Sequence, residues 1–338
     1  MNDEVDERDR ADAPPQARSA AAGARQVVVV RDDAGQRIDN FLLRELAGVP
    51  RSRIYRMLRS GEVRVNGGRV KPTQRLVAGD RIRIPPVRTA AAEDPARTGA
   101  AAAFIGDRLL QQLEQAVLFE DERLLVVNKP AGLAVHGGSG LSYGAIEALR
   151  RMRPDVPLSL AHRLDRDTSG CLLLAKSRGV LQSLHSALRE RQVRKHYELI
   201  VHGRWPRRVT TVRLALHRYH TASGERRVRV ATDGKPSRTD FSIRAQSAQA
   251  TRLEARLHTG RTHQIRVHAQ ASGHAVVGDE KYASEAQLDL ARSLNIRRLC
   301  LHAWYLAFEL DGQRLRFEAP PPADFERAWT ALTAVDVD

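Results

Sequence analysis

The chain has 338 residues, enough for two domains, and its 42% hydrophobic content allows at least one well-buried core. Its 55 Lys and Arg against 40 Asp and Glu leave a formal charge of +15, which favours a polyanionic partner such as nucleic acid over a small neutral substrate. Cys171 and Cys300 lack neighbours at ligand spacing, no apolar run approaches the roughly 20 residues of a spanning helix, and the acidic, Ala-rich start lacks a signal-peptide pattern; a disulfide framework, a zinc site and a membrane span are therefore not expected, and the cytoplasm is the expected address.

Residues 1–24 mix Asp, Glu, Arg, Ala and Pro with few large apolar side chains, a composition too poor in buriable surface to offset ordering entropy, and read as a disordered tail. Residues 25–88 read as a small module. Val27 to Val30 suits a short strand, and Ile38, Phe41, Leu42 and Leu46 follow a helical rhythm. Ser52 suits the N-cap of a second helix over 53–59, stopped by Gly61, and residues 63–67 read as a strand entering an Asn66-Gly67 turn. A last strand is expected over 80–85. The polar positions are dominated by cations, among them Arg51, Arg53, Arg56, Arg64 and Lys71, which suit phosphates. The order of helices and hairpin, with Arg51-Ser52-Arg53-Ile54 and Val63-Arg64-Val65-Asn66-Gly67, resembles the S4 RNA-binding module. That resemblance implies non-specific, salt-sensitive RNA affinity for these five cations.

Residues 89–112 are Ala-rich, are interrupted by Pro95 and Gly99, and read as a linker to a second domain over 113–338. In that domain strands are expected at 124–127, 197–201, 239–244, 251–257, 299–310 and 314–317. Helices are expected at 145–152, at 180–192 and from Asp324 onward. Many strands with interspersed helices predict an α+β fold on a mostly antiparallel sheet. The stretch from Leu158 to Lys176 reads as strand, charged turn and strand, with Thr168-Ser169-Gly170 in the turn. If its first strand runs through Leu164, Arg163 and Asp165 share one face.

The string His162-Arg163-Leu164-Asp165-Arg166-Asp167-Thr168-Ser169-Gly170 resembles the signature of the RluA-type RNA pseudouridine synthases. Two further stretches are similar to the same family: Asn128-Lys129-Pro130-Ala131-Gly132, and Thr259-Gly260-Arg261-Thr262-His263-Gln264-Ile265-Arg266-Val267-His268. The segment from His136 to Ser142 resembles the branch that modifies large-subunit ribosomal RNA. The resemblance implies isomerisation of uridine to pseudouridine at several sites of 23S rRNA, free or in a pre-ribosomal large subunit, by a monomer that needs neither cofactor nor metal. Residue by residue it implies Asp165 as nucleophile, Arg266 as the cation paired with it, and Tyr197 against the uracil, placed to assist removal of the proton from carbon 5. Arg163 is implied as the side chain that fills the gap left by the extruded base, with Arg261 and His162 as further substrate contacts; Arg261 is also a second candidate for the cation beside Asp165.

Other chemistries fit less well. His162, His263 and His268 invite a metal reading, but His263 and His268 are spaced to opposite sides of a helix. A triad of Ser169, His263 and an acid lacks the nucleophile-elbow glycine pattern. Where the family usually has His-Pro after its third motif this chain has His274-Ala275, which is expected to loosen the turn near Gly278-Asp279.

Overall fold

The computed structural model describes residues 24–30, 33–46, 49–87, 106–137 and 143–334. The tail expected over 1–24 lies outside them save for its last residue, as do most of the linker and the 138–142 part of the His136 segment. The chain divides into two compact units at Ala101.

The first unit carries strand β1 (Arg25–Val28), helices α1 (Ile38–Glu45) and α2 (Arg51–Ser60), and strands β2 (Arg64–Val65), β3 (Gly68–Arg69) and β4 (Arg81–Ile84), in sheet order β1-β4-β2-β3. Its core is Ile38, Phe41 and Leu42 of α1 against Ile54, Met57 and Leu58 of α2 and Ile82 and Ile84 of β4. Gly61 ends α2 at φ 76°, and Asn66 and Gly67 both take positive φ, which a two-residue hairpin turn of matching twist requires. Two expectations shift. Helix α2 starts one residue before Ser52, after Pro50, whose ring presets the entry, and β1 sits two residues earlier than Val27–Val30.

The second unit is α+β. Helix α3 (Asp107–Gln115) leads into strands β5 (Val117–Glu120) and β6 (Leu124–Lys129), followed by α4 (Ala145–Met152), β7 (Ser159–Leu160), β8 (Ser169–Ala175), α5 (Arg178–Arg189) and β9 (Arg194–His202). Strands β10 (Thr211–His220), β11 (Arg226–Val230), β12 (Lys235–Gln246) and β13 (Ala250–Leu257) come next, then α6 (Gln264–Ala271), α7 (Glu285–Ser293), β14 (Leu301–Leu310), β15 (Gln313–Glu318) and α8 (Ala323–Ala334). The sheet runs β11-β10-β12-β13-β9-β14-β8-β6-β5, with β15 beside β14 and β7 beside β8. The β8 and β14 pair is parallel and the other pairs are antiparallel.

Residues 124–127 of β6 and 171–175 of β8 are unbroken apolar runs because both faces of the sheet are covered there. Leu125, Val127, Leu172 and Leu174 pack with Ile146 and Leu149 of α4, in the core that also holds Phe325 of α8. The alternate residues Leu124, Val126, Leu173 and Ala175 pack with Leu184 of α5 and Phe317 of β15. Each such Leu contributes about 1.5–3 kcal/mol by burial. Gly170 enters β8 at φ 113°, and a Cβ there would stand 2.2 Å from the Ala303 carbonyl oxygen, so only glycine lets β8 and β14 close.

Helix α3 occupies what reads as the end of the linker, because Leu113 is fully buried against the larger core with Leu109 and Leu110 half-buried beside it. Below it, Glu120 accepts hydrogen bonds from Arg153 at 2.7–3.1 Å and pairs with Lys176 at 2.6 Å. The Arg153 hydrogen bonds, against the cost of burial and with Lys176 helping, hold its carboxyl down at about 2. A depressed carboxyl stabilises the fold above its ordinary value of 4.5 and loses that contribution as pH falls from there to about 2. Glu120→Gln should therefore lower stability by about 1–2 kcal/mol at pH 7, after allowance for solvent screening, and by almost nothing below pH 2. Urea unfolding of both proteins across that range checks this, and a pH-independent difference would contradict it.

Candidate active site

One end of the sheet gathers the loop ahead of β8, the starts of β9 and β14, the end of β13 and the first turn of α6. They enclose a cavity of about 220 Å³ whose wall includes His162, Arg163, Asp165, Lys195, Tyr197, Arg261, His263 and Arg266. Its size suits a single base rather than a larger ligand. All six of the candidate residues named above for chemistry or base contact are thus brought together, although they span more than 100 positions of sequence.

The first strand of the central motif stops at Leu160, short of the expected Leu164. Residues 161–168 are instead a loop whose buried anchor is Leu164, with Arg163 exposed and Asp165 half-buried on either side of it. A turn from the Asp165 carbonyl to Thr168 N–H at 3.2 Å closes the loop. Lys129 holds it from below: the buried ammonium donates to the carbonyls of Pro130, Leu133 and Arg166 at 2.7–2.9 Å. Burial pulls that ammonium down to about 7, against the nearby charges of Asp167 and Asp165. Ser169 is not in the turn but in β8, 1% exposed; it donates to His302 Nδ1 at 2.8 Å and accepts from Arg298 at 2.7 Å. The Nε2–H of His302 faces the Ala319 carbonyl, which fixes that tautomer. The pair is a buried strut, and the serine triad has no exposed nucleophile.

Arg266 does not hydrogen-bond Asp165. Its Nε and Nη2 donate to the two oxygens of Asp279 at 2.7 and 2.5 Å, with both side chains almost wholly buried. Burial works against the guanidinium, but the Asp279 hydrogen bonds and the charges of Asp279 and Asp165 outweigh it and raise the Arg266 pKa. Asp279 is completed by the Lys281 and Tyr282 N–H groups at 3.0 and 3.2 Å. Gly278 before it takes φ 73° and leaves no room for a Cβ, which would meet the Arg298 carbonyl oxygen. Ala275 does not loosen this turn: its carbonyl accepts from His202 N–H at 3.0 Å, and Val276 bridges to Val201.

The Arg266 guanidinium lies 5.1 Å from the centre of the Tyr282 ring. The Tyr282 hydroxyl accepts from Val228 N–H at 3.0 Å and lies 2.7 Å from His263 Nδ1. Burial pushes this phenol up to about 12, and because His263 Nε2 faces the Asp165 carboxylate, the tautomer in which the phenol donates to Nδ1 is the one that fits. The His263 Nε2–H is then turned towards Asp165, whose Oδ2 is 3.9 Å away, too far for a hydrogen bond but placed to hold the carboxylate's bearing. His263 takes φ 52° just ahead of α6, a strained setting for a non-glycine residue at a functional position. Gln264 locks the same loop through Thr259, Arg261 N–H, Arg238 O and Thr239.

Residues 123–271 match the family described as RNA pseudouridylate synthase, and residues 36–82 match the S4 domain. The chain is 50% identical over 313 residues to the ribosomal large subunit pseudouridine synthase C of Pasteurella multocida (strain Pm70), covering 91% of this chain and 94% of that one. It is 48% identical over 314 residues to the protein of the same name from Escherichia coli (strain K12), covering 90% and 96%. The chain belongs to the RNA pseudouridylate synthases. Among solved structures, human RNA pseudouridylate synthase domain containing 4 superposes with a TM-score of 0.57 at 25% identity, over 68% of this chain and 97% of that one.

In a pseudouridine synthase the remaining walls take on meaning. Tyr197 is 8% exposed, and burial, then the charge of Asp165, pushes its phenol upward. A base entering the cavity would face it as a neutral ring and a donor, not as a ready proton acceptor. His162 accepts the Leu173 N–H at 3.1 Å through Nε2, and burial, then Lys195, holds it down to about 3. It is a neutral brace of the loop. Lys195, half-buried on the same strand as Tyr197, is lowered by burial alone. In the S4 domain Arg51, Arg56, Arg64 and Lys71 are exposed, whereas Arg53 is engaged by Glu62 at 2.8 Å.

Asp279, Tyr282 and Lys195 were missed by sequence reasoning, and His263 entered it only as a metal or triad candidate. Asp279 and Tyr282 lie beyond the third motif, and no spacing rule links an arginine on a helix to an aspartate 13 residues later. The one available signal was Gly278, a turn residue directly before a carboxylate.

Proposed function

We propose that this protein isomerises several uridines of 23S rRNA to pseudouridine, with Asp165 as nucleophile, acting as a cytoplasmic monomer on free or assembling large-subunit RNA. The observation that carries the reading is the convergence of Asp165, Tyr197 and Arg266 on one base-sized cavity. The similarity to proteins named for the large ribosomal subunit supports the RNA. In the reaction the bond from C1′ to N1 breaks and its electron pair leaves with the uracil. The base turns, its carbon 5 bonds to C1′, the carbon 5 proton is lost and N1 takes one up, so that the product is an isomer of the substrate. No electrons or groups are exchanged with a second substrate.

A base can enter only after leaving its stack, and exposed Arg163, beside Asp165 in the cavity wall, is the planar cation placed to fill the gap. The Asp165 carboxylate must stay ionised when RNA displaces water. Buried Arg266 acts on it through space, and His263 Nε2–H through orientation. A non-catalytic RNA-binding factor is the rival reading. Tritium release from carbon-5-labelled 23S rRNA transcript by the purified protein separates them, because a binding factor releases none.

The S4 domain is assigned affinity rather than chemistry. Replacing Arg51, Arg56 and Arg64 together by Gln should reduce the slope of log affinity against log salt by about 2–3 and leave the single-turnover rate at saturation unchanged. Filter binding from low to moderate salt measures this; an unchanged slope would remove those arginines from the RNA contact.

A further inference from the structure

A second cavity, of about 240 Å³, adjoins the active pocket and shares Lys195, Leu257, Gly260 and Arg261 with it. Arg189, Arg191, Arg194, Arg256, Arg261 and Lys195 converge on it, and its lining contains no Asp or Glu. Among the described residues none of these six cations makes an ion pair; Arg189 reaches only the Ser186 hydroxyl and Arg261 only the Pro236 carbonyl. The neighbouring His258 is the member of the wall that has a carboxylate, Asp240, at 2.5 Å. Other arginines of this unit, Arg153, Arg238, Arg252, Arg266 and Arg298 among them, are each paired with a carboxylate.

Six unpaired cations facing one hollow repel one another, and an anion seated there relieves the repulsion. The local crowding is visible in His196, which burial holds down first and Arg256 and Arg194 next. The opposite flank of Asp165 is a larger cleft of about 820 Å³ whose wall carries Asp167, Glu225, Glu280 and Asp324 among its arginines, a poorer path for a polyanion. Hydrogen-bonded guanidiniums, forked and strongly basic, are suited to phosphodiester oxygens.

We propose that this acid-free cavity seats a backbone phosphate of the RNA adjoining the uridine held in the active pocket, which rests on RNA being the substrate. Arg194 and Arg256, both exposed and outside the active pocket's wall, are its outer donors, and Lys195 stands in the partition between phosphate and base. The strand is thereby fixed in register: with one phosphate seated, the next base reaches the Asp165 pocket.

The test is a coupling measurement on the full chain. A short fragment of 23S rRNA, chosen by its binding to the wild-type protein, is made with single phosphates replaced one at a time by neutral methylphosphonate. Its affinity is measured for wild type and for the Arg194→Gln, Arg256→Gln double variant. The variant should melt like wild type, bind the unmodified fragment at least about tenfold more weakly for the lost charged contacts, and recover most of that loss when both positions are Lys. At one phosphate position, methylphosphonate should weaken wild type by a similar factor and leave the variant unaffected, the signature of a shared contact. Losses that multiply at every position, or a variant that binds like wild type, would overturn the proposal. Coupling in an RNA that is never isomerised would overturn the assigned reaction and leave the phosphate seat standing.

Discussion

Asp165→Asn should stop isomerisation while leaving the protein folded and able to bind RNA. Loss of a nucleophile with no substitute typically costs about 10⁴ or more in rate, and none is at hand: Tyr197 is a buried phenol with a raised pKa, and Asp279 spends both oxygens on Arg266. Stability should change little, because among the described residues the polar contact of this side chain is the 3.9 Å approach of His263. Tritium release in single turnover, beside a thermal melt, reads both effects. Measurable release at a tenth of the wild-type rate would remove Asp165 from the reaction.

The second large effect belongs to a pair of which the three motifs contain only Arg266. Arg266 and Asp279 are both almost wholly buried, so removing either strands a charge in the core, at a typical cost of about 3–5 kcal/mol. For a unit of this size that is roughly 6–20 °C in melting temperature. Arg266→Ala and Asp279→Ala should each show it and should each lose activity, since the Tyr282, His263 and Asp165 chain hangs on this pair. Arg266→Lys should recover part of the stability but little turnover, because a point charge cannot hold both oxygens of Asp279 in one orientation. The double variant Arg266→Met, Asp279→Leu should be less destabilised than the sum of the single changes. If Asp165→Asn lowered stability as much as Asp279→Ala does, the arginine would be held by the nucleophile instead.

The site's own string was readable because its chemistry is local: Arg163 and Asp165 fall two residues apart, and Leu164 between them anchors the loop. Its support was not. Arg266 has its partner across a turn that only Gly278 hints at, and Ser169 bonds His302 across the sheet. The same division holds for the fold. Strands β6 and β8 announce themselves as apolar runs, and α4 spans the residues that its pattern predicts. The β10 and β11 ribbon was missed although it alternates, Val212, Leu214 and Leu216 against Arg213 and His217, and Val228 and Val230 against Arg227 and Arg229; its apolar stretches are short, and Arg218 ends the first. Helix α3 was hidden by the Ala-rich stretch before it, whose low apolar content masks the single buried Leu113.

Mapping of pseudouridine in 23S rRNA from cells lacking this gene, complemented with wild type or with Asp165→Asn, tests the central claim most directly. Defined uridines should lose the modification, regain it with wild type and stay unmodified with Asp165→Asn. An unchanged map in the deletion strain, or restoration by Asp165→Asn, would contradict the account.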